Sequence, residues 1–162
     1  AYIGDVLPVK EREGLLEEYL LSLLLQSPRP RDYLLLILPR LSANDFISPT
    51  LSKIYGILSE LPDKTGGIKQ IAREIPEELM PTVDRLYLQD TNLSLEDDAV
   101  LLSEIQKIAW TVKELSLRNK LKTISSEIKN DPENQNLDEE FSKATLALQK
   151  HLEEQKLLST KI

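Results

Sequence analysis

Residues 97–129 read DDAVLLSEIQKIAWTVKELSLRNKLKTISSEIK, and the absence of Pro and Gly from this stretch predicts one long helix. Its apolar residues recur in alternating steps of four and three, beginning with a series that we name the first stripe: Leu101, Ile105, Ile108, Val112 and Leu115. A second stripe has the same steps but is displaced by two residues: Leu117, Leu121, Ile124 and Ile128. Two residues turn an α-helix by about 200°, so the second stripe points nearly opposite to the first. We therefore expect the helix to pack on one body in its first half and on another in its second half.

The second stripe has a candidate partner immediately downstream. Residues 130–135 are polar and contain Pro132, which predicts a reversal of the chain. The helix expected after this reversal repeats the spacing of four and three at Leu137, Phe141, Ala144, Leu148 and Leu152. A short connection makes successive helices antiparallel neighbours. We therefore predict a helical hairpin whose core consists of Leu117, Leu121, Ile124, Ile128, Leu137, Phe141 and Leu148.

The remainder of the chain reads as short helices punctuated by proline. A helix is predicted near residues 10–26, and its segment 19–25 is apolar almost all round, as in a helix enclosed by others. Ser48-Pro49 is a typical helix start, whereas residues 33–38 fit either a short helix or a buried strand. Abundant Leu and scarce Gly and aromatic residues favour an all-α protein. We expect a multi-helix bundle over residues 1–115, with the long connector helix leading into an antiparallel hairpin over residues 116–162.

The composition gives little support to catalysis or to metal binding. The chain has no Cys and one His, which excludes disulfides, thiolate zinc sites and multi-histidine metal sites. We expect His151 on an exposed helix face and Trp110 in or near the core. Adjacent acids such as Glu17-Glu18 are expected on polar faces or in first helical turns, rather than as a catalytic pair. The sequence thus predicts a protein that binds a partner, with no cofactor and no catalytic residue.

The charge of the chain argues against nucleic-acid binding by the molecule as a whole, because its formal net charge is −7. A weak basic patch near Arg118–Lys122, on the second half of the long helix, is interpreted as a solvated helix face. We accordingly expect no direct nucleic-acid binding. No apolar run approaches the ~20 residues needed to cross a bilayer. The chain begins Ala1-Tyr2-Ile3-Gly4 without Met, which suggests a fragment of a longer protein.

The last helix carries apolar residues that a two-helix arm cannot bury completely. Exposed leucines on a hairpin suit helix-on-helix docking with a partner, although they could instead fold back on the bundle or fray. The candidate partner-binding residues are Leu146, Leu152, Gln155, Leu157 and Leu158, and the apolar tail continues to Ile162.

Two segments together resemble a known family. Residues 17–26, EEYLLSLLLQ, and residues 44–55, NDFISPTLSKIY, are similar to the C-terminal domain of bacterial DNA primase. The segment IPEEL at residues 75–79, the long connector and the terminal hairpin follow in the family's order. The resemblance spans roughly Glu11 to Leu158 and rests on apolar patterns rather than on catalytic motifs.

The resemblance implies a bacterial, cytoplasmic domain in which a helical bundle is followed by a hairpin that docks on the N-terminal domains of the hexameric replicative helicase. Such a domain couples primer synthesis to the replication fork without catalysing it. The zinc-binding and polymerising regions of a primase have no counterpart here, so that activity would belong to the parent protein. Two alternatives remain: the related N-terminal domain of the replicative helicase itself, and an unrelated helical adaptor.

Overall fold

The fold is all-α, as the sequence predicts. The computed structural model describes residues 9–62 and 65–160, so the first residues of the chain and Ile162 lie outside the described part. Within these ranges there is no strand, and residues 33–37 belong to a helix that Leu38 caps. The α-helices are α1 Val9–Gln26, α2 Pro30–Ile37, α3 Pro49–Ser59, α4 Ile68–Ala72, α5 Met80–Leu88, α6 Asp98–Asn130 and α7 Gln135–Thr160. Short 3-10 turns occupy Ala43–Asp45 and Glu77–Leu79.

The chain divides into two compact units, Ala1–Val112 and Lys113–Ile162. The uninterrupted helix α6 contributes its first half to the first unit and its second half to the second. The division therefore falls in the segment of α6 where the apolar stripe changes face.

The core of the first unit is built around α1, which contacts α2, α3 and α5. Its leucines from Leu20 to Leu25 have no exposed surface, and Ser22 among them is equally buried. This confirms the enclosed helix that the apolar segment predicts. Four of the five residues of the first stripe of α6 are buried as well: Leu101 and Ile105 are fully covered, and Val112 and Ile108 are 3% and 9% exposed. The last residue of the stripe, Leu115, is half-buried. Burial of this face explains why the first half of α6 belongs to the bundle.

Side-chain caps set where several helices begin. The Ser48 Oγ accepts a hydrogen bond from the N–H of Leu51 at 3.3 Å, which confirms the Ser-Pro start of α3. At the start of α6, Asp97 Oδ1 accepts from the N–H groups of Ala99 and Val100 at 3.1 and 3.2 Å. These acceptors satisfy N–H groups that have no partner within the helix.

Half-buried polar side chains join helix ends to the rest of the first unit. Gln26 Nε2 donates to the carbonyl oxygens of Leu86 and Gln89 at 3.0 and 2.7 Å, which closes the C-terminal end of α5. Arg31 Nη1 donates to the carbonyl oxygen of Ser59 at 2.5 Å, at the end of α3. A helix end leaves such carbonyls without intrahelical donors, so each contact stabilises a junction between two elements.

Glu17 is buried rather than placed on a polar face, so that prediction was wrong. Its side chain is 2% exposed, and its two carboxylate oxygens accept from the N–H groups of Ile47 and Ser48 at 2.8 and 3.2 Å. Burial raises the pKa of Glu17 above its usual value, although the two backbone donors oppose the rise, and the nearby Glu13 raises it further. The carboxylate thus joins α1 to the segment that enters α3.

Candidate functional site

The hairpin formed by the second half of α6 and by α7 holds the candidate site. Five of its apolar side chains are at most 9% exposed: Leu117, Ile124, Leu137, Ala144 and Leu148. Two further residues of the second stripe, Leu121 and Ile128, are half-buried. Most of the residues that the sequence assigns to the hairpin core are therefore covered.

The prediction that Phe141 belongs to the hairpin core was wrong, because its side chain is 38% exposed. Phe141 lies about 60° around α7 from Ala144, whose side chain is 3% exposed. The buried line of α7 therefore passes through Leu137, Ala144 and Leu148, with Phe141 at its flank. There the ring helps to line a groove instead of filling the core.

The prediction that His151 lies on an exposed helix face was also wrong, because the residue is buried, with 3% of its surface exposed. It follows Leu148 by three residues and Ala144 by seven, so it continues the buried line of α7. Gln155, four residues further on, is half-buried and continues the same line. Its position on this line is a poor one for outward docking. The spacing of His151 and Gln155 from Leu148 indicated that both lie on the buried side of α7, but their polar side chains suggested exposure.

The other four candidate docking residues divide into two pairs. Leu146 is 64% exposed and Leu157 is 60% exposed, whereas Leu152 and Leu158 are half-buried. Leu146 lies two residues from both Ala144 and Leu148, so it points about 160–200° away from the buried line. Leu157 follows Leu146 by eleven residues and shares its face within about 20°. The structure thus places two exposed leucines on the outer face of α7.

A groove of about 450 Å³ lies on one flank of the hairpin. We name it the hairpin groove, and its lining residues are Leu121, Lys122, Ser125, Ser126, Lys129 and Phe141. Arg118 precedes Lys122 by one helical turn, and its Nε contacts Glu114 Oε2 at 2.8 Å. The sequence signalled only the basic patch near Arg118–Lys122, since nothing local brings Phe141 of α7 beside it.

Trp110 is 6% exposed, which confirms its predicted place in or near the core. The Arg40 guanidinium carbon lies 4.9 Å from the centroid of the Trp110 ring. Burial lowers the pKa of Arg40 from its ordinary value. This cation–π contact joins the segment after α2 to α6 within the first unit, and it is structural in character.

The first residue of α6 is tied to α2. The Tyr33 hydroxyl donates to Asp98 Oδ1 at 2.7 Å, and Arg29 Nη2 lies 3.5 Å from Asp98 Oδ2. Burial together with the Asp98 carboxylate raises the pKa of Tyr33 to about 12. Asp98 also lies in the first turn of α6, where its negative charge interacts favourably with the helix dipole. These contacts together hold the start of the helix in place.

Within the described ranges, no three His, Cys, Asp or Glu side chains come together in a way that could hold a metal ion. None of the helices in that part of the chain is long and apolar enough to cross a membrane. Comparisons with protein-family models, with curated proteins and with solved structures found no match.

Proposed function

We propose that this chain is a non-catalytic docking domain, and that the outer face of its hairpin binds a helical protein partner. The partner implied by the resemblance of residues 17–26 and 44–55 is the N-terminal region of the hexameric replicative helicase. In that interpretation the chain is the C-terminal domain of a bacterial DNA primase, acting in the cytoplasm. Primer synthesis would then reside in the parent protein, and this domain would bring it to the replication fork.

The observation that carries the docking proposal is the exposure of Leu146 and Leu157 on one face of α7. Eleven residues separate them, which is about 16 Å along the helix and three turns. Apolar side chains repeated on one helix face are what a partner groove recognises in helix docking. Burying a leucine contributes roughly 1.5–3 kcal/mol, so two such anchors can support a specific contact.

The order of the helices supports the choice of partner. The bundle formed by α1 to α5 and the first half of α6 precedes a two-helix unit, as in the family that the sequence resembles. The N-terminal domain of the helicase is the second candidate, since its pattern is related. An unrelated helical adaptor is the third.

A retention experiment separates these candidates. The chain is immobilised and exposed to a bacterial extract, and the retained proteins are identified by mass spectrometry. Leu146→Glu with Leu157→Glu serves as the matched background, since both changes lie on the exposed outer face. The proposal predicts that the replicative helicase is enriched on the unchanged chain over this background.

The alternatives give different results in the same setting. Equal retention of the helicase by both chains contradicts the outer face of α7 as its contact. Enrichment of other proteins without the helicase favours an adaptor. A ring-sized assembly of the chain alone, measured by light scattering after size exclusion, favours the helicase domain.

A further inference from the structure

We propose that the hairpin groove binds single-stranded nucleic acid, with the Phe141 ring stacked on a base and with Lys122 and Lys129 holding phosphates. This site lies on a flank of the hairpin, apart from the outer-face leucines, and the proposal does not depend on the partner protein. It revises the expectation of no direct nucleic-acid binding.

The two cations that line the groove, Lys122 and Lys129, form a row with Arg118 on one side of α6. Arg118, Lys122, Ser125 and Lys129 follow each other in steps of four, three and four, so they share a face for about 16 Å. All three basic side chains are exposed. Among the described residues Lys122 and Lys129 form no ion pair, while Arg118 is paired with Glu114. The row therefore presents at least two cations available to phosphates.

The aromatic component lies on the other helix of the hairpin. Phe141 of α7 is 38% exposed and lines the groove together with Leu121 of α6. Leaving a large aromatic ring in contact with water forgoes part of its hydrophobic stabilisation. A planar ring beside a row of cations is the arrangement with which proteins bind single strands, because every base has a face that can stack.

The chemistry of the groove favours a single strand over the alternatives. Phe141 and Leu121 are the apolar side chains of its lining, which is little for anchoring a protein helix, while its other lining side chains end in an amine or a hydroxyl. A duplex keeps its base faces stacked internally, so it offers phosphates to the lysines but no base to the ring. A single strand offers both at once. The net charge of −7 predicts that this binding is weak and strongly salt-dependent.

The test uses the whole chain and a fluorescein-labelled oligothymidylate of about 15 nucleotides, followed by fluorescence anisotropy. At about 20 mM salt we expect saturable binding. The logarithm of the association constant should fall with the logarithm of the salt concentration at a slope of about −1.4 to −2, as for two or three phosphate contacts. Phe141→Leu should weaken binding about fivefold to tenfold, because a leucine side chain cannot stack. Phe141→Tyr should retain it.

The charge contribution has a matched control on the same hairpin. Lys122→Gln with Lys129→Gln should weaken binding by about tenfold or more. Lys143→Gln with Lys150→Gln removes two exposed cations of the same spacing from α7, outside the groove lining, and should leave the affinity within about twofold. Because the lysine changes affect only exposed side chains, this comparison holds whatever Phe141→Leu does to the fold.

Four results overturn the proposal. They are the absence of binding at low salt, equal weakening by the two lysine pairs, undiminished binding by Phe141→Leu in a folded hairpin, and equal competition by an acidic polypeptide. The last result would identify the groove as a site for an acidic protein segment instead.

Discussion

Leu146 and Leu157 lie three turns apart on one face of α7, and both point away from the buried line of the hairpin. The proposed docking face and the hairpin core thus occupy opposite sides of one helix. Changes to the docking face should consequently leave the hairpin intact, which makes binding and folding separately measurable.

The first prediction follows from this separation. Leu146→Ala with Leu157→Ala should change the free energy of unfolding by no more than about 0.5 kcal/mol per site, because exposed side chains contribute little to stability. Urea unfolding followed by circular dichroism measures it. A loss of several kcal/mol would mean that these leucines are covered within the folded chain.

The second prediction concerns Phe141, which the structure places at the flank of the hairpin core. Phe141→Ala should cost roughly 1–2 kcal/mol, below the 3–5 kcal/mol expected for a fully buried phenylalanine. Leu148→Ala is the matched comparison, since Leu148 is 8% exposed, and it should cost about 2–5 kcal/mol. If urea unfolding showed the larger loss for Phe141→Ala, the ring would belong to the core after all.

The third prediction concerns the bond between Tyr33 and Asp98 at the start of α6. Tyr33→Phe should lower the free energy of unfolding by about 0.5–1.5 kcal/mol, the usual net value of one hydrogen bond. The raised pKa of Tyr33 also makes this contribution to stability depend on pH. The contribution of Tyr33 is present below its unfolded pKa, near 10, and is lost as the pH rises towards about 12.

That loss is measured as the difference in stability between the unchanged chain and Tyr33→Phe. The difference should shrink between pH 10 and about 12. A difference that is constant across this range would show that the folded protein does not protect the neutral phenol.

The fourth prediction concerns the buried carboxyl of Glu17, whose pKa in the folded chain lies above the unfolded value of 4.5. Its contribution to stability is therefore complete below about pH 4.5 and is lost as the pH rises through the folded pKa. Relative to Glu17→Gln, the unchanged chain should be favoured more at pH 4.5 than at pH 7. Urea unfolding at the two values measures this, with the exposed Glu74→Gln as control. An increase towards neutral pH would contradict the burial argument.

Periodicity along the chain predicted the helices and the change of face in α6, because both depend on neighbours within a few residues. The start of α3 at Ser48-Pro49 was equally predictable, since a capping side chain bonds to an N–H group only three residues away. The burial of Glu17 was not predictable from its neighbours, because the N–H groups from which it accepts hydrogen bonds belong to Ile47 and Ser48, some 30 residues away. A buried acid whose partners lie in a distant loop looks like a surface acid in the sequence.

The candidate site shows the same limit in another form. Spacing assigns a residue to a side of a helix, but it does not decide between the centre of the contact and its flank. Ala144 occupies the centre, and Phe141 is displaced to the groove. His151 illustrates the converse, since its register was right for burial and its polarity suggested exposure. The groove itself combines residues of α6 and α7 and has no local signature.

The most direct test of the docking account is isothermal titration of the intact chain with the N-terminal domain of the replicative helicase from the same organism. We predict saturable binding that Leu146→Glu with Leu157→Glu weakens by at least about tenfold, since charge at both anchors opposes burial. Leu88→Glu, at a leucine that is 78% exposed in the first unit, should leave the affinity unchanged. Binding of equal strength by all three chains, or no binding by the unchanged chain, would contradict the account.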